Sequence, residues 1–337
     1  MRPEARPRAE RAAAPGRAHR RGPADVGALA VLAGVALLGL LGVVRRLRDL
    51  DALAFAGGTC VVLLLAWVVY GRIDEKPEPT GAGGTSDLER ALGGDALELH
   101  YQPQVNPAGK ATGMEALLRR RPPGGRPESA VALIEHAERN GLMPRLTRYV
   151  LDTAVAQAAV WRREGLAVPV AVNISPADAL VPGFPARVRA CLRRHGLPGR
   201  ALTVEVTESS AVPDVPALAA ALAELRRHGV RVSLDDFGTG HSSIARLREL
   251  PVDELKIDRS FVSRMAGDPR DEAVVRCSVD LAHALGLDVV AEGVETEEDL
   301  LLLRGMGVPV IQGWLVSPAL AAPEATGWLR RAAAGAG

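Results

Sequence analysis

The sequence predicts a TIM-like (β/α)₈ barrel, an α/β fold entered through a strand hairpin, in the roughly 250 residues after position 86. Three observations predict it. Short β-type runs recur at residues 98–105, 112–118, 168–174, 202–207, 230–234, 254–257, 288–291 and 308–311. Amphipathic Ala/Leu/Arg segments of helical period, such as residues 145–163 and 215–228, separate most of them. Polar side chains able to bind a cation or move a proton gather at the ends of those runs, the edge where α/β folds build sites. One irregularity stands out. Only residues 106–111 part the first two runs, too few for a crossover helix, so these two strands read as an antiparallel hairpin that an ideal barrel lacks.

The chain before the barrel has a different composition. Residues 1–25 carry seven Arg with Pro and Ala and almost nothing able to form a core, which predicts a disordered basic tail. Residues 26–44 and 52–70 are each 19 residues without a charge, the length of a membrane helix, and Trp67 and Tyr70 suit an interfacial position. A signal peptide is a poorer reading, because the apolar run is long and a second follows at once. Two spans make a hairpin with both termini on one side; Arg45, Arg46 and Arg48 in the loop oppose a cytoplasmic tail, but the seven-Arg tail has the larger count and predicts termini in the cytoplasm. Residues 71–86 are rich in Pro and Gly and predict a flexible linker.

Net charge is +1, but residues 1–72 hold eleven Arg against five acids, so residues 73–337 carry −5. Such an acidic domain is poorly suited to a nucleic-acid polymer. Cys60, Cys191 and Cys277 are far apart, with neither disulfide-framework nor zinc spacing.

Residues 231–261, RVSLDDFGTGHSSIARLRELPVDELKIDRSF, form the densest stretch. A β-rich run ends in Asp235 and Asp236, a glycine turn follows, and the next run carries Lys256. Asp-Asp-x-Gly alone is most simply a solvated turn. Lys256 changes the weighting: it is one of three lysines among 41 basic residues, so an apolar strand has retained a compact ammonium where the chain otherwise uses Arg. The other runs add Glu115, Asn173, Glu205 with Glu208, Glu292 and Gln312. Oxygen ligands without His or Cys suit Mg²⁺ or Mn²⁺. Adjacent aspartates allow two ions, the arrangement for in-line attack on a phosphodiester. Lys256 could orient or help deprotonate the attacking water, or steady developing negative charge.

The segments YQPQV, EALLR, VNIS, EVTES, DDFGTG, LKIDRSF, AEGVET and QGW, in this order, resemble those of the EAL-domain family, bacterial phosphodiesterases that hydrolyse cyclic di-GMP to linear pGpG. The resemblance covers residues 88–329 and implies an EAL domain over 87–337, with the first barrel strand antiparallel to the rest. It implies that Glu115, Asn173, Glu205 and Asp235 ligate a first metal, and that Asp235 bridges to a second held also by Asp236. It implies that Lys256 and Glu292 position the nucleophilic water. Gln102, Leu117, Arg119 and Gln312 would contact substrate, and Glu208 would brace the loop after the fifth strand. Two Mg²⁺ or Mn²⁺ ions, cyclic di-GMP as substrate and a homodimer through the EAL domain follow from the same resemblance. With the hairpin, it implies a multi-pass protein of the bacterial inner membrane with its catalytic domain in the cytoplasm.

Three departures accompany the match. His241 stands where the family usually has Tyr, Val131 to Leu133 lack a common aromatic, and the proline of Ser317 to Leu320 is shifted by one. Gly93-Gly94-Asp95 is not a cyclase signature, since Glu-Phe does not follow. Two other readings are a non-hydrolytic cyclic di-GMP receptor on the same fold and another metal-dependent barrel hydrolase. Receptors of this kind typically lack ligands or the lysine, and all are present here.

Overall fold

A computed structural model describes residues 96–121, 125, 127–207, 214–239 and 243–335. The expected tail, both apolar spans, the linker, Glu208 and His241 lie outside the described residues. No helix among the described residues is long and apolar enough to cross a membrane.

The hairpin comes first. β1 (Leu97–Val105) and β2 (Ala111–Arg120) pair antiparallel, with Gln102 opposite Glu115. Asn106 turns the chain: its side-chain oxygen accepts from the backbone N–H groups of Ala108 and Lys110, and Gly109 takes a left-handed φ of 81°. The chain then forms β3 (Glu128–Ser129), α1 (Val131–Arg139), α2 (Met143–Arg163), β4 (Val170–Asn173), α3 (Pro176–Ala179) and α4 (Phe184–Arg194). β5 (Leu202–Thr207), α5 (Val215–Arg227), β6 (Arg231–Phe237), α6 (Ser243–Glu249) and β7 (Glu254–Ile257) follow. The last elements are α7 (Arg259–Val262), α8 (Pro269–Leu285), β8 (Asp288–Ala291), α9 (Glu297–Gly305), β9 (Val310–Ile311), β10 (Leu320–Ala321) and α10 (Ala322–Ala333).

Strands β2, β4, β5, β6, β7, β8 and β9 run parallel in that spatial order. β1 pairs antiparallel with β2 on one side and with β9 on the other, closing an eight-strand barrel. The antiparallel first strand is as expected. β3 and β10 are two-residue additions flanking β2 and β1, too short for sequence alternation to reveal. β6 runs on to Phe237, beyond the predicted end at 234, whereas β4 and β9 are shorter than predicted.

Helices cover the wall with apolar stripes. On α5, Leu218, Leu222 and Leu225 recur at helical spacing and are buried. Each contributes about 1.5–3 kcal/mol by leaving water. Asp214 starts this helix by accepting from Ala217 N at 2.9 Å. Thr296 and Asp299 form a reciprocal capping box at the start of α9, directly after the segment that carries Glu292. The wall is thus fastened at the points from which the mouth residues project.

Candidate active site

Strand geometry assembles the mouth. Alternation on β2 sets Glu115, Leu117 and Arg119 on one face, and alternation on β1 does the same for Gln102 and Gln104. Asn173 and Glu205 are register partners on β4 and β5, so their side chains enter the mouth at one level. Asn173 Nδ2 donates to Glu115 Oε1 at 2.9 Å.

β6 breaks alternation where two carboxylates are needed together. Its register against β7 shifts between Leu234 and Phe237, and Asp236 adopts φ 57°. Asp236 is the one non-glycine residue with positive φ among the described residues. Left-handed backbone costs an L-residue about 1–2 kcal/mol, less for Asp. The bulge brings successive carboxylates into one cluster instead of opposite faces. Oxygens of Asp235, Asp236 and Glu292 all lie within 4.8 Å of one another. Asp236 N donates to Asp235 Oδ1 at 3.0 Å, which fixes one carboxylate against the next backbone unit.

Lys256 is the centre of charge. It is wholly buried, with Nζ 2.5 Å from Glu292 Oε1, 3.1 Å from Glu205 Oε1 and from Asp235 Oδ1, and 3.7 Å from Glu115 Oε2. Burial acts to lower its pKa, but Asp235, Glu115, Glu205 and Glu292 outweigh burial and hold the ammonium well above the ordinary lysine value. Burial pushes Glu205 well above the carboxylate range; Lys256 opposes that shift, and the other carboxylates add to it. Glu292 is pushed up to about 8, chiefly by burial and against the pull of Lys256. Asp236 rises to about 6 through burial and the neighbouring Asp235. Five carboxyl groups share one ammonium, an excess of four acidic groups whose full ionisation requires positive charge from outside the chain.

That excess fits divalent cations. Glu205 Oε1 faces Lys256 Nζ at 3.1 Å, but its buried Oε2 has no hydrogen-bond partner, as expected of a group that also serves a ligand from outside the protein. The donors are all hard oxygens, as Mg²⁺ or Mn²⁺ requires. The structure groups Glu292 with Asp235 and Asp236, whereas the sequence reading assigned it to water positioning alone.

A layer of glutamines braces Glu115. Gln312 Nε2 donates to Glu115 Oε2 at 2.5 Å and to Gln102 Oε1 at 3.1 Å, while Gln312 Oε1 accepts from Gln104 Nε2 at 3.0 Å. Gln102 Nε2 reaches Ser317 O at 3.0 Å. Sequence reasoning missed Gln104, although its spacing from Gln102 on one strand face was the available signal. A cavity of about 210 Å³ opens here, lined in part by Glu115, Leu117, Glu292 and Gln312. Leu117 also borders a second, about 310 Å³, which extends past Arg119 and Asn173. Leu117 therefore borders both cavities, whereas Arg119 borders only the larger one. Trp314 and Arg259, on the rim of the smaller cavity, were also missed as site residues.

Comparison with known proteins agrees with this geometry. The EAL domain profile matches residues 85–319. The chain is 41% identical over 240 residues to the bifunctional diguanylate cyclase/cyclic di-GMP phosphodiesterase MucR of Pseudomonas aeruginosa, covering 71% of this chain and 35% of that protein. It is 33% identical over 246 residues to the cyclic di-GMP phosphodiesterase PdeR of Escherichia coli, covering 73% and 37% respectively. Among solved structures, the MucR phosphodiesterase in complex with c-di-GMP superposes with a TM-score of 0.67 at 40% identity, over 71% of this chain and 98% of that one. The chain spans roughly a third to a half of the length of the curated relatives it matches.

Proposed function

The chain belongs to the EAL-domain family, and from that premise we propose that it hydrolyses cyclic di-GMP to linear pGpG with the help of two divalent cations. The observation that carries the reading is the buried Lys256 among Glu115, Glu205, Asp235 and Glu292, beside Asp236. Asp235 and Asp236, with Glu115, Asn173, Glu205 and Glu292, would hold Mg²⁺ or Mn²⁺. Bound there, the ions supply Lewis-acid stabilisation of the phosphoryl oxygens and an acidified water.

The chain's own residues do the rest. Glu292, whose Oε1 lies 2.5 Å from Lys256 Nζ, accepts the proton of the attacking water in its ionised form. The water oxygen forms a bond to phosphorus as the P–O3′ bond breaks, and the departing 3′ oxygen takes up a proton to leave a 3′-hydroxyl and a 5′-phosphate. Lys256 keeps Glu292 and Asp235 in place and offsets negative charge at phosphorus. Gln312, held by Gln104 and Gln102, fixes the orientation of Glu115.

The proposal includes tethering to the cytoplasmic face of the bacterial inner membrane through residues 26–44 and 52–70, supported by their uncharged runs and the basic tail. It also includes a homodimer through the EAL domain, which light scattering of the detergent-solubilised protein tests. For the activity, the full chain is incubated with cyclic di-GMP and Mg²⁺ or Mn²⁺ and the products are separated by chromatography. Linear pGpG is expected. Tight binding with substrate intact would overturn hydrolysis in favour of a receptor.

A further inference from the structure

Trp314 is placed where folding gains little from it. Its residue surface is 63% exposed, so most of a large apolar ring stays in water, yet it borders the 210 Å³ cavity that contains Glu115 and Glu292. Its turn is hydrogen-bonded to a neighbouring segment. Val294 N donates to Gln312 O at 3.1 Å and Leu315 N donates to Val294 O at 3.0 Å, tying the turn that carries Trp314 to the segment after Glu292. Gly313 makes this approach possible, since a Cβ there would lie 2.1 Å from Val294 O.

Arg259 backs the ring. Its guanidinium carbon lies 5.2 Å from the indole centroid, within cation–π range, and its Nη2 lies 3.5 Å from Glu295 Oε1. Gly293, at φ 68°, leaves space for the Arg259 side chain, which a Cβ would meet at 2.3 Å. Two glycines thus admit an aromatic ring and a cation to the rim of the cavity. The cavity itself is smaller than the roughly 300–1,000 Å³ that drug-sized ligands fill. A two-base nucleotide entering it must leave much of itself outside, on the rim.

We propose that Trp314, held by Gly313 and backed by Arg259, is a stacking platform for a purine base of the substrate; this rests on the phosphodiesterase reading above. Base–aromatic stacking changes affinity by roughly 5- to 150-fold per base. Trp314→Ala in the full-length protein is therefore expected to raise KM for cyclic di-GMP about tenfold or more, with kcat much less affected. Trp314→Leu should behave like Trp314→Ala, and Trp314→Phe should recover most of the loss, because a flat π face and not apolar area is required. Melting temperatures of the variants check that the fold is intact.

Intrinsic fluorescence supplies a second readout. Cyclic di-GMP with Ca²⁺ should quench emission in wild type and much less in Trp314→Phe, which keeps Trp67, Trp161 and Trp328. Unchanged KM in both Trp314→Ala and Trp314→Leu, in an enzyme that hydrolyses the substrate, overturns the platform and leaves the phosphodiesterase reading standing. If wild type fails to hydrolyse cyclic di-GMP, that reading falls. The platform is then judged by quenching with guanosine monophosphate, and absence of quenching attributable to Trp314 overturns it as well.

Discussion

The two ends of the barrel use the same residue types to opposite effect. At the amino ends of β6 to β8, Arg231 meets Asp288 at 2.5 Å and Glu254 at 3.4 Å, and Arg226 meets Asp253 at 2.6 Å. Two guanidiniums there face three carboxylates, and most of these side chains reach solvent. Toward the carboxyl ends of the barrel strands, Lys256 lies 2.5–3.7 Å from four carboxylates, with Asp236 beside them, and its own side chain is 1% exposed. Glu254 and Lys256 lie two residues apart on β7. One end is a nearly neutral surface network; the other is a buried charge imbalance that folding alone does not favour. Under the proposed function, the remedy for that imbalance is a cation from outside the chain.

The sharpest way to break this contrast is to remove a ligand from the mouth. Asp235→Ala should lower hydrolysis on the order of 10³-fold, because a cation worth several kcal/mol of transition-state stabilisation loses its shared ligand. Initial rates at saturating Mn²⁺ measure it, and rates within tenfold of wild type would remove the metal reading.

Opposite changes within the cluster should move stability in opposite directions. In EDTA, Lys256→Ala leaves the carboxylates facing one another and should cost about 3–5 kcal/mol. Glu205→Gln removes a buried carboxyl whose ionisation the cluster opposes, and should raise the melting temperature of the metal-free protein at alkaline pH while abolishing most activity. Thermal melts of both variants decide this, and two shifts of the same sign would contradict the charge account.

The mouth should also make metal-free stability depend on pH. Glu292 and Asp236 have folded pKa values of about 8 and about 6, above their ordinary carboxylate values of 4.5 and 3.8. Between the ordinary and raised values the folded state binds more protons than the unfolded one, so stability falls as pH rises from about 4 to about 8. Each kcal/mol lost lowers Tm by about 2–4 °C in a domain of this size. Melts in EDTA at pH 5 and pH 8 should show the decline, and saturating Mn²⁺ should abolish it. A metal-free Tm that rises over this range would reverse the assignment.

How much of this was legible in the sequence differs between the two kinds of feature. Strands β5, β7 and β8 were predicted to the residue, because apolar β-rich runs bounded by turns are local signals. The identities of Glu115, Glu205, Asp235, Asp236, Lys256 and Glu292 were legible as polar residues at strand ends. The bulge that turns Asp236 into the cluster was not, since nothing in LDDF announces a positive φ. Gln104 on Gln312, Arg259 on Trp314 and the two-residue β10 on β1 all join residues far apart in sequence, and only the tertiary arrangement of the strands brings them together.

The smallest expected effect belongs to the other end. Arg231→Ala removes a partly exposed pair and should cost about 1 kcal/mol or less, with hydrolysis within twofold of wild type. A large activity loss in that variant would show that the two ends are not independent.

The central claim is that the excess of acidic groups at the mouth exists to bind two divalent cations. Calorimetric titration of the metal-free full-length protein with Mn²⁺ at pH 7, repeated in buffers of different ionisation enthalpy, tests it most directly. The account predicts two ions per chain, with net release of protons as Glu292 and its neighbours give up those they hold in the metal-free state. Binding of one ion or none, without proton release, would contradict it.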